Sequence, residues 1–209
     1  KILKGEIMLK FFLSLLLVFI LKTQSYSNEY YSALDLFNKK KTEDALVIFK
    51  KVADEESNEK RSDAMFNIAI IYDNGLGVPT DKTRAIYYYE SAAELSNKHA
   101  LYNLGWMYFN GENINKDVIK AFELYKLSSD FGHPRAMFNL ANMYYSGTGT
   151  VKDLKMAYKM FLKSRINGIE ESNHYITKIT SILSPEEISF LNNEFDSLIE
   201  KKIVLPSIK

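Results

Sequence analysis

Between Ala64 and Glu171 the apolar residues recur at helical spacing, and the helical stripes themselves recur every 36 residues. In the first stripe Ala64, Ile68, Ala69 and Tyr72 are matched by Ala100, Leu104, Gly105 and Tyr108, and again by Ala136, Leu140, Ala141 and Tyr144. Offsets of 4, 5 and 8 place these residues on one face of a helix. A second stripe carries Ala85, Tyr89 and Ala92, then Ala121, Tyr125 and Ser128, then Ala157, Phe161 and Ser164. Between the two stripes stand Gly75, Gly111 and Gly147, which end the first helix by accepting the left-handed conformation. Asp81, Asp117 and Asp153 precede the second stripe, where a carboxylate accepts from the free N–H groups of a new helix. The small residue at Ala69, Gly105 and Ala141 lets a neighbouring helix approach closely. Gly132 and Gly168 end the second helix in two copies, and Pro134 suits the first turn of the helix that follows. A fixed period of about 20–50 residues marks an array in which each unit buries its apolar face only against its neighbours.

These residues resemble a known family. Ala100, Leu104, Gly105, Tyr108, Gly111, Asp117 and Ala121 match the Sel-1-like repeat, a relative of the tetratricopeptide repeat with a longer loop between its helices. Gly75 with Gly77, and Gly147 with Gly149, supply the motif's glycine pair, whereas the middle copy has Asn113 in place of the second glycine. The resemblance implies an all-α fold, a right-handed superhelical αα-solenoid of antiparallel helix pairs. It also implies a scaffold or adaptor role, and it does not imply an enzyme activity.

The ends of the chain read differently from its middle. Residues 1–27 place Lys1, Lys4 and Lys10 before an apolar run spanning Phe11–Leu21, and close on Ser25-Tyr26-Ser27. Basic start, apolar centre and small-residue site are the layout of a secretory signal peptide. The run is about half of the ~20 residues that a spanning helix needs, so the mature protein is expected to keep no membrane span. Residues 28–60 form a tetratricopeptide-like helix pair, with Ala33, Leu36 and Phe37 on one helix and Ala45, Phe49 and Val52 on the next. Thr42 is a candidate cap for that second helix. The three Sel-1-like repeats occupy residues 61–171, as 64–99, 100–135 and 136–171. Residues 172–209 hold capping helices and a tail. Ser172, Ile176 and Thr180 continue the repeat pattern, and Ser184-Pro185-Glu186-Glu187 is a capping box. The helix it opens turns Ile188, Leu191, Phe195, Leu198 and Ile199 inward and Glu194, Asp196 and Lys201 outward.

Charge and composition narrow the function classes. The leader holds four lysines against one glutamate, and the whole chain is +1, which leaves −2 for the remainder. A near-neutral mature chain offers no electrostatic case for nucleic acid. There is no cysteine, hence no disulfide. No Asn-x-Ser/Thr occurs, which favours a bacterial envelope over a eukaryotic secretory lumen. His99, His133 and His174 show no metal-ligand spacing, and no phosphate loop, dinucleotide fingerprint or nucleophile elbow is present. No cofactor, metal or catalytic residue is therefore expected. The glycine pairs follow a helix instead of opening one, which is the wrong context for a phosphate.

The candidate site is a groove. The outward stripe of each first helix reads Phe66, Ile70 and Asp73, then Tyr102, Trp106, Phe109 and Asn110, then Phe138, Asn142 and Tyr145. Exposed aromatic residues in a groove mark an interface, since Trp and Tyr dominate hot spots. Tyr102, Trp106, Phe109, Phe138, Asn142 and Tyr145 are thus the expected partner-binding residues, with the five rings in one patch. Asn67, Asn103 and Asn139 recur in every copy and read as structural amides between helices. The expected partner is a protein or peptide, bound by a secreted or periplasmic scaffold. The alternatives are an envelope enzyme acting on cell-wall material and a secreted factor acting on a host. Signal cleavage is expected after Ser27; N-terminal sequencing of secreted protein should read from Asn28, and a start at Met8 or Lys10 would refute it.

Overall fold

The computed structural model describes the backbone of residues 2–204, and the side chains at 8, 12–18 and 28–195. Its helices are α1 (Ile2–Asn38), α2 (Thr42–Asp54), α3 (Arg61–Asn74), α4 (Lys82–Glu94), α5 (Lys98–Asn110), α6 (Val118–Asp130), α7 (Pro134–Ser146), α8 (Leu154–Ile166), α9 (Ser172–Thr180) and α10 (Pro185–Val204). No strand occurs among the described residues. The all-α expectation therefore holds, and the chain divides into two compact units, residues 1–100 and 101–209.

In the first unit α1 packs on α2, α2 on α3 and α3 on α4. The repeat columns explain the packing: Ala64, Ile68 and Ala69 of α3 and Ala85 and Ala92 of α4 are wholly buried. Gly75 ends α3 at φ 65°, with its N–H donating to the Ile71 carbonyl. The chain then turns back so that the Asp81 N–H donates to the Tyr72 carbonyl at 2.9 Å, while the Asp81 carboxylate accepts from the Arg84 N–H. Ser96 takes the left-handed position after α4, at φ 62°, where the later copies have Gly132 and Gly168. The predicted leader and the first packed helix are one element, because α1 runs unbroken past Ser27. Its described apolar side chains from Phe12 to Val18 are all exposed, whereas Tyr30 and Ala33 are buried. Glu29 pairs with Lys51 of α2 at 2.7 Å. No helix among the described residues is long and apolar enough to cross a membrane. Thr42 is not the cap of α2: the cap position falls on Lys41, and Thr42 is buried as the first helical residue.

In the second unit α6 packs on α7, α7 on α8, and α8 on both α9 and α10. The same joint recurs twice. The N–H groups of Asp117 and Asp153 donate to the carbonyls of Tyr108 and Tyr144 at 2.9 Å, and both carboxylates accept from the next helix. Asn113 lies at φ 59°, beside 68° and 71° for Gly77 and Gly149, which supply the motif's second glycine in the other copies. The sequence departs from the motif there without leaving the geometry, because asparagine tolerates the left-handed region better than other residues with a side chain. His133 caps α7, its Nδ1 accepting from the Ala136 N–H at 3.2 Å. The Ser184–Glu187 capping box forms in both directions. Leu191 and Phe195 are buried below it. Glu194 keeps its side chain 41% exposed on the outward face, and there it also reaches α8. It pairs with Lys159 of α8 at 2.7 Å, as Glu187 does with Lys155 at 2.8 Å, so two ion pairs seven residues apart run along one side of the apolar stripe of α10 and hold it to α8. The side chains of Asp196, Leu198, Ile199 and Lys201 lie outside the described residues.

The small-residue column does what its size requires. A Cβ added to Gly105 would sit 2.9 Å from the ring of Tyr125, and that ring is almost wholly buried. Gly105→Leu is therefore expected to force α5 and α6 apart and cost about 1–3 kcal/mol. Urea denaturation would show it as a lower midpoint; an unchanged midpoint would mean that the crossing has room to spare.

Candidate functional site

Three helices of the second unit meet around a cavity of about 280 Å³. Trp106, Phe109 and Asn110 come from α5, Tyr125 from α6, and Asn139, Asn142, Met143 and Ser146 from α7. The local reason is angular. Trp106 follows Gly105, so it stands about 100° round the helix from the column that packs on Tyr125. It is 43% exposed, while Met107 and Tyr108 beside it are buried. Phe109 lies three residues on, along the same face. Tyr125 and Met143 are almost fully buried, and they offer the cavity only a small part of their surface.

The polar members are amides and a hydroxyl. Asn110 Nδ2 donates to the Trp106 carbonyl at 2.9 Å, and Asn142 Nδ2 to the Phe138 carbonyl at 3.1 Å. Ser146 Oγ donates to the Asn142 carbonyl at 2.8 Å. Each amide is thereby held against its own helix. Burial pushes the Tyr125 phenol well above the ordinary tyrosine range, opposed by its hydrogen bond with Asn139. Tyr125 is therefore a neutral hydroxyl at any physiological pH. None of the eight lining residues carries a formal charge.

The six expected partner-binding residues divide. Trp106, Phe109 and Asn142 share the cavity. Tyr102, Phe138 and Tyr145 are elsewhere, so the five rings do not make one patch. Tyr102 stacks on His133 at 4.5 Å and tilts against Tyr125 at 5.9 Å. Phe138 packs edge-on against Phe161 and Tyr175, and Tyr145 against Tyr175. These rings are half-buried in packing within the unit. The first unit repeats the arrangement, with Phe66 against Tyr89 and His99. A signal for this was present: the aromatic residue of the first helix and the one it meets on the second are 23 positions apart in every copy. The cavity residues that pattern reasoning missed as a group are Tyr125, Asn139, Met143 and Ser146. Tyr125 and Asn139 sit in packing columns, and nothing in a repeat pattern marks which column borders a void. The asparagine column is structural in part: Asn67 donates to the Asp63 carbonyl and to the Tyr30 hydroxyl. Asn139 combines that structural bond with a place in the cavity wall. Among the described residues no cluster of His, Asp and Glu is placed to hold a metal ion.

Residues 62–97, 98–133 and 134–168 each match the Sel1 repeat, together just over half of the chain. These segments begin two positions before the copies delimited by the alanine columns. A Sel1 repeat protein from Oxalobacter formigenes has a similar structure, with a TM-score of 0.63 and 27% identity over 70% of this chain and 58% of that one. A protective antigen present in uropathogenic Escherichia coli strains, displaying an SLR fold, aligns with a TM-score of 0.61 and 25% identity, over 73% of this chain and 33% of that one. This chain thus spans less than two-thirds of either protein. No curated protein is significantly similar in sequence.

The contrast in burial between Trp106 and Phe161 gives a stability test. Phe161→Ala empties a fully buried position and is expected to cost about 3–5 kcal/mol. Trp106→Ala should cost less than half of that in the same urea titration, and an equal loss would place the indole in the core.

Proposed function

The chain belongs to the Sel1 repeat family, and on that footing we propose that it is a secreted or periplasmic scaffold that holds a segment of a partner protein along α5 and α7. Proteins of this family are generally protein-interaction scaffolds and typically not enzymes. The observation that carries the reading is the cavity of Trp106 and Phe109. A large indole stands 43% exposed beside a recess, in a helix whose Leu101, Leu104, Met107 and Tyr108 are buried. A ring exposed at the edge of a recess can close over a partner's side chain, and Trp is among the residues most enriched at interface hot spots. Secretion rests on residues 1–27, whose basic start, apolar run and small-residue end suit export.

Affinity capture from cell envelopes, followed by mass spectrometry, tests the reading when run in parallel on the parent chain and on Trp106→Ala. A true partner is expected to be retained by the parent and weakened by about 2 kcal/mol or more in the variant, with the fold intact by circular dichroism. A partner retained equally by both would move the binding surface off this cavity.

A further inference from the structure

Accepting that groove reading, the geometry points to the chemistry of the segment it holds: an extended peptide of the partner protein that inserts one bulky, uncharged aliphatic or aromatic side chain between Trp106 and Phe109. Three observations converge on it.

The first is size. The cavity holds about 280 Å³, just under the range of about 300–1,000 Å³ typical of sites for whole small molecules. It suits one large side chain, with the rest of the ligand lying outside.

The second is charge. The eight lining residues include no Asp, Glu, Lys, Arg or His. Beyond the cavity, α5 has no formal charge from Leu101 to Asn110, and α7 has only Arg135. The second helices differ: α6 carries Lys120, Glu123, Lys126 and Asp130, and α8 carries Lys155, Lys159, Lys163 and Arg165. Charge on these four helices is thus concentrated on α6 and α8, and Lys116, in the loop after α5, holds its Nζ 6.0 Å from the centre of the Phe109 ring. A charged side chain entering the recess would lose water and meet no counter-ion among the eight lining residues, which is strongly unfavourable. An apolar one would displace water from Trp106 and Phe109.

The third is the rim. The Nδ2 groups of Asn110 and Asn142 are each held by one bond to their own helix. Each keeps a second N–H and its amide oxygen for another group, and an amide with both donor and acceptor matches a peptide backbone. The recess therefore takes the side chain while the amides take the main chain on either side of it.

The sole tryptophan of the chain is Trp106, so its emission reports occupancy directly. Random nonapeptides displayed on phage would be selected on the purified chain, and the enriched peptides remade with their anchor changed to Phe, Leu, Lys or Glu. Saturable change in Trp106 emission is expected for Phe and Leu, with Lys and Glu weaker by about tenfold or more. Ser146→Leu, which fills the recess from an exposed position, should abolish the response without unfolding the chain. Asn142→Ala should weaken binding of every peptide alike. Lys or Glu peptides that bind as tightly as Phe would overturn the apolar anchor and leave the groove reading standing. Enriched peptides that leave Trp106 emission unchanged and ignore Ser146→Leu would overturn both. Selection that enriches nothing would overturn the peptide chemistry, while envelope capture sensitive to Trp106→Ala would still uphold the groove.

Discussion

Each loop between the two helices of a repeat must reverse the chain without leaving backbone groups unpaired, and one aspartate meets that constraint. The N–H of Asp81, Asp117 or Asp153 closes the loop on a tyrosine carbonyl of the first helix, and the carboxylate opens the second helix. A cap of this kind is worth about 1 kcal/mol, which is modest beside the apolar burial. Its weight is geometric. The joint sets where the second helix starts relative to the first, and so decides which side chains meet across the pair. Because it is built alike each time, Gly105 reaches Tyr125 and the alanine columns close without gaps. The cavity lies where that regular packing ends: Trp106 steps off the packed column, and Asn142 stands in the matching position of the next repeat.

The fold was legible in the sequence because a repeat states its packing more than once. The aspartate caps, the helix-ending glycines and the capping box at Ser184 are all local, with partners within a few residues, and all formed as the pattern required. Asn113 showed that a motif position can change residue and keep its conformation. Glu194 was placed on the outward face without its partner. Hydropathy sorts residues into inside and outside, and it does not say which charge on a neighbouring helix an outward carboxylate meets.

The site was legible only in part. Position on the helix was enough for Trp106, which turns away from the packing column whatever its neighbours are. It was not enough for Tyr102, Phe138 and Tyr145, whose exposure depends on whether another ring is within reach. His133 and Tyr175 supply those rings from the start of the next helical pair, a relation between elements that a single stripe does not contain. Asn139 was assigned to structure correctly and incompletely, since one amide can brace a tyrosine and border a void at once.

The end of α5 bears on how this cavity ages. Asn110 is followed by Gly111, and such a pair is prone to lose ammonia when the glycine nitrogen attacks the asparagine side chain. Hydrolysis of the resulting ring leaves a carboxylate, which here would place a permanent negative charge in a recess that has none. The nitrogen that would attack is the one whose hydrogen is committed to the Met107 carbonyl at 2.8 Å, and the Asn110 amide is tied back to Trp106. The hydrogen bonds that terminate the helix thus also act as a chemical preservative. Conditions that fray this one turn would write a slow, irreversible record of their duration into the binding surface.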